Sequence, residues 1–248
     1  MDKWLNQIIC GDCLEVMKDI PDKSVDMILC DLPYGTTACK WDTIIPFEPL
    51  WEQYERVIKD SGAIVLFGSQ PFTSKLVNSN LPMFGYEWIW QKQKPTNFYQ
   101  VKWQPLKEHE NILVFYKNKP NYYPIGTTEV NVKSGRKNKS SNLYSKYDGG
   151  DYVQKIGNYP RSIIFCPTEG DKDRLHPTQK PVALFEYLIK TYTKEGETVL
   201  DNCIGSGTTA VAALNTGRFF IGIEKEPKYV EIARRRVEQA QAQQSLFA

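Results

Sequence analysis

Apolar runs and helical patterns alternate along most of this chain. Val25 to Leu29 is a short apolar run that stops at Asp31-Leu32-Pro33-Tyr34-Gly35, as a buried parallel strand does when it delivers a loop. After Pro46, the residues Leu50, Tyr54, Val57 and Ile58 recur at helical spacing. Ser61-Gly62 is expected to end that helix before a strand from Ala63 to Phe67. Tyr86 to Trp90 and Asn111 to Tyr116 read as further strands.

From Lys117 to about Arg174 the periodicity fades, and glycine, asparagine, serine, tyrosine and basic residues dominate. Regular patterning resumes with a helix after Pro181, a strand Thr198 to Leu200, a glycine loop and a helix from Thr208. A strand Phe219 to Ile223 and an amphipathic helix from about Pro227 complete the pattern. Strands alternating with helices predict an α/β fold with a doubly wound, mostly parallel sheet. The expected division is 1–116 and 175–248 as two halves of one domain, with 117–174 as an insertion.

A length of 248 residues fits one such domain. Hydrophobic residues at 41% and charged residues at 24% are globular values, and no apolar run approaches the ~20 residues of a membrane span. The start, Met1-Asp2-Lys3-Trp4, lacks the basic segment and apolar core of a secretory signal, so a cytoplasmic protein is expected. Cys10, Cys13, Cys30, Cys39, Cys166 and Cys203 are scattered, and the single C-x-x-C pair has no second pair; the two histidines, His109 and His176, add little. No metal site is expected. A formal charge of +2 leaves the question of a polyanionic partner to local clustering.

Asp201-Asn202-Cys203-Ile204-Gly205-Ser206-Gly207-Thr208-Thr209 follows a strand and opens a helix, where backbone can approach a ligand closely and an anionic group is favoured. Alone, this loop fits a nicotinamide enzyme or a structural turn as well as a methyltransferase. The G-S-G-T-T spacing departs from G-x-G-x-x-G, and the next strand ends at Glu224, whose carboxylate can accept ribose hydroxyls. Asp31-Leu32-Pro33-Tyr34 can be a plain turn. It also suits the activation of an exocyclic base amine, whose lone pair is delocalised into the ring. Such a site needs acceptors for the amino hydrogens, and Asp31 with a backbone carbonyl supplies them. Tyr34 offers a stacking face fixed by Pro33.

Together these two segments resemble the paired signatures of the DNA amino-methyltransferases, with the catalytic motif before the cofactor motif as in the β class. The resemblance extends through Gly11-Asp12-Cys13-Leu14-Glu15, Phe67-Gly68-Ser69-Gln70 and His176-Pro177-Thr178-Gln179-Lys180-Pro181. It implies the class I fold of S-adenosylmethionine-dependent methyltransferases and the transfer of a methyl group to N6 of adenine in double-stranded DNA. It further implies that Asp31 and the Leu32 carbonyl bind the target amine with Pro33 shaping the turn, and that Tyr34 stacks on a flipped base. Asp12, Cys13, Thr178, Lys180, Asp201, Gly205, Ser206, Gly207, Thr208 and Glu224 would surround S-adenosylmethionine. Members of the class often pair, so a homodimer is an expectation from resemblance.

Leu32 stands where the family more often has proline, and Cys203 where phenylalanine is frequent. Asp at the first motif position is similar to adenine-modifying members, whereas serine is more typical of those acting on N4 of cytosine. Lys92, Lys94 and Asn97 lie in a stretch that mixes cations, amides and aromatics; Arg136, Lys137 and Lys139 fall in the basic insertion, the natural target-recognition region. The alternatives are an N4-cytosine enzyme, an RNA or protein amino-methyltransferase, a non-catalytic DNA-binding module and a nicotinamide-binding protein. C5-cytosine methylation is set aside, because Cys166-Pro167 runs in the wrong order for its nucleophile.

Overall fold

A computed structural model describes residues 1–36, 42–134, 152–168 and 179–245. The first half of the chain contributes β1 (Gln7–Cys10), α1 (Cys13–Val16), β2 (Val25–Cys30), α2 (Phe47–Val57), β3 (Ile58–Gly68), α3 (Phe72–Ser79), β4 (Phe84–Thr96) and β5 (Lys107–Phe115). Then come β6 (Thr128–Ser134), β7 (Tyr152–Gly157), β8 (Ile163–Phe165), α4 (Val182–Tyr192), β9 (Thr198–Asp201), α5 (Thr208–Asn215), β10 (Phe219–Glu224) and α6 (Pro227–Ser245). The main sheet has the order β1-β10-β9-β2-β3-β5-β4-β8. Its pairs from β1 to β3 are parallel, β5 runs antiparallel to both β3 and β4, and β8 is parallel to β4.

Strand periodicity distributes the core over two faces. Met27, Leu29, Val65, Phe67 and Val199 point one way, into a cluster with Phe185 and Leu188 of α4, Ala210 of α5 and Ala233 of α6. Ile28, Cys30, Ile64, Leu66 and Leu200 point the other way, onto Leu50 and Tyr54 of α2 and Phe72 and Leu76 of α3. Every residue of β2 is buried, and all but Asp26 are apolar; Asp26 is held by the Lys59 ammonium and accepts the Thr198 N–H. Helices cover both faces, as the expected doubly wound fold requires. Among the described residues, no helix is long and apolar enough to cross a membrane.

Several boundaries differ from the sequence reading. The helix after Pro46 passes into β3 at Ile58, and Ser61-Gly62 lies inside that strand. Ile58 pairs with Val25, and pairing then resumes at Ala63 opposite Met27, so Ser61-Gly62 belongs to a bulge. A Cβ on Gly62 would stand 2.8 Å from the Asp26 carbonyl oxygen, so the strands approach too closely there for a larger residue. β4 continues through Lys92 to Thr96: Gln91 pairs with His109 and Thr96 with Lys107 of β5, with an irregularity in the register between them.

The insertion is also shorter than 117–174. The chain forms two compact units, Met1–Tyr123 with Ser162–Ala248, and Pro124–Arg161. Lys117 Nζ donates to the Glu55 carbonyl, Asn121 N–H to that of Ser61 and Tyr123 N–H to that of Thr191, which fixes residues before 124 to the larger unit. β8 adds to the edge of the main sheet. The smaller unit carries the antiparallel ladder β6–β7, whose Val132, Val153 and Ile156 are exposed, consistent with little core of its own.

Tyr54 connects this frame to the loop after β9. It is fully buried on α2, and its hydroxyl donates to Asn202 Oδ1 at 2.6 Å. Removing that donor leaves a buried amide oxygen without its partner. Tyr54→Phe should therefore cost about 1–3 kcal/mol of folding stability, read from urea unfolding midpoints; an unchanged midpoint would show that the bond contributes nothing.

Candidate active site

The carboxyl ends of β1, β2, β9 and β10 open together on one edge of the parallel sheet. A cavity of about 760 Å³ lies there, walled by Asp12, Asp31, Tyr34, Asp201 and Glu224 from those strand ends and by Trp90, Lys92 and Glu110 from β4 and β5. The crevice falls where β9 and β2 are neighbours while their onward connections run to opposite sides, the topological position at which doubly wound sheets bind ligands. Its size suits a cofactor-sized ligand.

The Asp-Leu-Pro-Tyr turn leaves β2 with its elements divided between core and cavity. The Leu32 side chain is buried among the α2 and α3 side chains, so leucine replaces proline here as a core residue while its carbonyl remains. Tyr34 stacks on Phe72 with ring centroids 4.9 Å apart, and its hydroxyl donates to Asp31 Oδ1 at 2.7 Å. Asp42 holds the chain beyond the turn: Oδ1 accepts the Gly35 N–H at 2.8 Å and Oδ2 the Thr36 N–H at 2.9 Å. Burial, with the nearby carboxylates of Asp31 and Glu110, pushes the Tyr34 phenol well above its ordinary range, so it is a neutral donor.

The loop after β9 is braced from within. Asp201 Oδ1 accepts the Cys203 N–H at 3.0 Å and Oδ2 accepts the Thr209 hydroxyl. Burial pushes the Asp201 carboxyl up to about 7 against those two hydrogen bonds. Glu224 Oε2 accepts the Gly205 N–H at 2.9 Å and Oε1 accepts the Glu226 N–H at 2.9 Å, so the acid also ties the loop to the end of β10. Burial raises its pKa as well. Arg236 of α6 reaches the start of α5, donating to the Ser206 carbonyl at 2.8 Å and to its hydroxyl at 3.1 Å. At the end of β1, Asp12 caps α1 through Oδ1 and the Leu14 N–H, leaving the residue exposed at the cavity rim.

Cys13, Cys30 and Cys203 meet beneath the cavity. The hydrogen bond to Cys203 and burial push the Cys13 thiol far up, and burial takes Cys30 up to about 12. These thiols are neutral packing groups. Among the described residues no cluster suits a metal ion.

Three expected site residues have further partners in the structure. Lys180, expected beside a cofactor, lies 2.5 Å from Asp31 Oδ2 and 3.3 Å from Glu110 Oε2. Burial disfavours its charge, but the two carboxylates override that and raise its pKa. Lys92, expected to neutralise a phosphate, lines the cavity, is ion-paired with buried Glu110 and sits over the Trp90 ring. Gly207, expected against the cofactor, has φ +87°, and a Cβ there would stand 3.0 Å from Cβ of Ala233 on α6. It faces a helix and does not line the cavity.

Gly205, Ser206 and Thr208 do line it, with Cys13 and Pro33. Lys94 is exposed at its mouth, and Asn97 stands in a left-handed conformation just beyond. Thr178, His176, Arg136, Lys137, Lys139 and Cys39 lie outside the described residues. Sequence reasoning missed Glu110, Asp42 and Phe72. The available signal for Glu110 was a single acid just ahead of the apolar run Ile112 to Phe115.

Residues 25–235 match the model of the DNA methylase family that acts on N6 and N4 amines, and the chain belongs to that family. It is 28% identical over 265 residues to the type II methyltransferase M.HinfI of Haemophilus influenzae, covering 96% of this chain and 69% of that protein. It is also 28% identical to M.HpaI of Haemophilus parainfluenzae, covering 94% and 74%. Among solved structures, M1.HpyAVI in complex with S-adenosylmethionine superposes with a TM-score of 0.67 at 27% identity, covering 93% of this chain and 98% of that one. The cytosine-N4-specific PvuII methyltransferase superposes with a TM-score of 0.66 at 15% identity, covering 95% and 90%, a likeness of fold. The protein is thus an S-adenosylmethionine-dependent DNA methyltransferase with the class I fold.

Two outcomes follow from the loop. Gly207→Ala should lower stability by about 1–3 kcal/mol, because alanine resists the left-handed conformation and meets Ala233; thermal unfolding equal to wild type would contradict that packing. Asp201 has a folded pKa above the unfolded value of roughly 3.9, so its contribution is full below about pH 4 and is lost as pH rises through about 7. The stability of wild type relative to Asp201→Asn should therefore fall between about pH 4 and pH 8 in urea titrations, and a constant difference would rule this titration out.

Proposed function

We propose that the enzyme methylates N6 of adenine in double-stranded DNA, with the target base leaving the stack to enter the cavity beside Asp31. The observation that carries this reading is a carboxylate at the cavity wall whose neighbour Tyr34 is backed by Phe72 and whose next backbone carbonyl, that of Leu32, leaves the same turn.

The residues present fit S-adenosylmethionine. Glu224 lines the cavity and would accept ribose hydroxyls, Asp12 stands at the rim, and Gly205, Ser206 and Thr208 line the wall at the start of α5, where backbone N–H groups and the helix dipole favour a carboxylate. Asp201 is a positioning residue, since both its oxygens hold the loop. When bound, the cofactor supplies an electrophilic methyl group on a sulfonium. Asp31 and the Leu32 carbonyl accept hydrogen bonds from the two amino hydrogens of the base, which draws the nitrogen lone pair out of the ring and toward the methyl. Tyr34 gives the base a stacking face, and its hydroxyl keeps Asp31 in place. With the cofactor bound, the nitrogen–carbon bond would form as the carbon–sulfur bond breaks, and the proton shed by the nitrogen would pass to solvent.

On the DNA side, Lys94 at the cavity mouth supplies a cation for phosphate, and exposed Phe98, Tyr99 and Trp103 beyond it supply rings for unstacked bases. The insertion carries further basic residues for target recognition.

Asp31→Ala should remove most methyl transfer, about 100-fold or more in kcat, while S-adenosylhomocysteine binding by calorimetry stays near wild type; near-normal turnover would refute the role of Asp31. The base is decided by incubating the protein with DNA and methyl-labelled S-adenosylmethionine, then digesting the DNA to nucleosides for mass spectrometry. Label in N6-methyladenine is expected, and label in N4-methylcytosine would replace the base in this proposal.

A further inference from the structure

Lys180 is held by two carboxylates, and only one belongs to the Asp-Leu-Pro-Tyr turn. Its Nζ lies 2.5 Å from Asp31 Oδ2 and 3.3 Å from Glu110 Oε2. The other Glu110 oxygen is ion-paired with Lys92. Glu110 Oε2 itself is buried and, among the described residues, has no well-aligned donor beyond its 3.3 Å ion-pair approach to Lys180. The groups form an alternating row, Lys92, Glu110, Lys180, Asp31 and Tyr34, two cations and two anions closed by a phenol.

In this row the acceptor needed by the base is already engaged. Tyr34 donates to Oδ1 of Asp31, and a charged donor sits on Oδ2. A neutral amino group is a weaker donor than an ammonium and competes poorly for the same oxygen. Moving Lys180 into solvent would strand a buried carboxylate, which is costly. The open acceptor on Glu110 lets the ammonium leave Asp31 while keeping a charged partner, and no proton changes owner in the move.

We propose that Glu110 is a positioning residue for methyl transfer, its Oε2 receiving the Lys180 ammonium when the target amine takes Asp31 Oδ2, while Lys92 holds Glu110 in place. The opposing charges support this: despite burial, Lys180 and Lys92 keep the Glu110 carboxyl below its ordinary range, so it remains an anion able to receive the lysine. The inference rests on Asp31 acting on the target amine.

Glu110→Gln keeps the shape of the side chain and removes the charge, leaving Lys180 on Asp31. We expect kcat to fall about 100-fold, the loss typical of a misplaced reacting group, with S-adenosylhomocysteine affinity and far-UV circular dichroism unchanged. Glu110→Asp, charged but one methylene shorter, should recover part of that loss. In a Lys180→Met background, which has no ammonium to receive, adding Glu110→Gln should produce no further fall. Wild-type kcat in Glu110→Gln, or losses that multiply in the double variant, would overturn the exchange. Should Glu110→Gln not fold, Glu110→Asp decides: a partial fall in kcat with intact cofactor binding supports the exchange, and an unchanged kcat overturns it. Asp31→Ala measured in parallel separates the two failures. Full turnover there defeats the reading of Asp31 itself, whereas an inactive Asp31→Ala beside a fully active Glu110→Gln defeats only the exchange.

Discussion

An ionised carboxylate at the end of a buried strand is tolerable only where charge and hydrogen-bond donors meet it. Asp31 is in that position, and much of the molecule is arranged around it. Tyr34 reaches back three residues to one oxygen, and Lys180 comes from 149 residues further along the chain to the other. That second contact requires the segment leading into α4 to pass over the end of β2. The two halves of the domain are therefore joined by the same ion pair that shapes the active site. Glu110 and Lys92 extend the pattern into the antiparallel part of the sheet, so β4 and β5 contribute electrostatics as well as walls.

The sheet supplies the second condition. Parallel strands end together, and the ends of β1, β2, β9 and β10 bring Asp12, Asp31, Asp201 and Glu224 to one crevice. None of these acids is near another in sequence. Their convergence follows from strand order, and their environments then divide the work. Asp201 and Glu224 are tied to backbone and hydroxyl donors of the loop after β9, whereas Asp31 faces side-chain donors.

Much of this was legible because the segments that matter also break the apolar pattern. Asp31 to Gly35 and Asp201 to Thr209 each interrupt a run that otherwise reads as strand, and the break marks a strand end. The resemblance then implied which residues face which ligand. Roles that depend on distant partners were less visible. Lys180 sits beside a proline at a helix start, and nothing local to it points to Asp31. Lys92 looks like a surface cation in a polar stretch, yet β4 extends far enough to carry it to Glu110. Gly207 belongs to the glycine loop, and nothing local shows that its missing side chain also leaves room for α6. Ser61-Gly62 imitated a helix stop because a bulge and a helix terminus favour the same residues.

The β6–β7 ladder closes on itself: among the described residues its strands pair with each other and with no strand of the larger sheet. A change in its length or composition leaves the register of the eight-stranded sheet untouched. The row of charges from Lys92 to Asp31, by contrast, joins four separate chain segments. A hairpin paired only with itself can drift in sequence and length at little cost to the sheet that carries the row of charges.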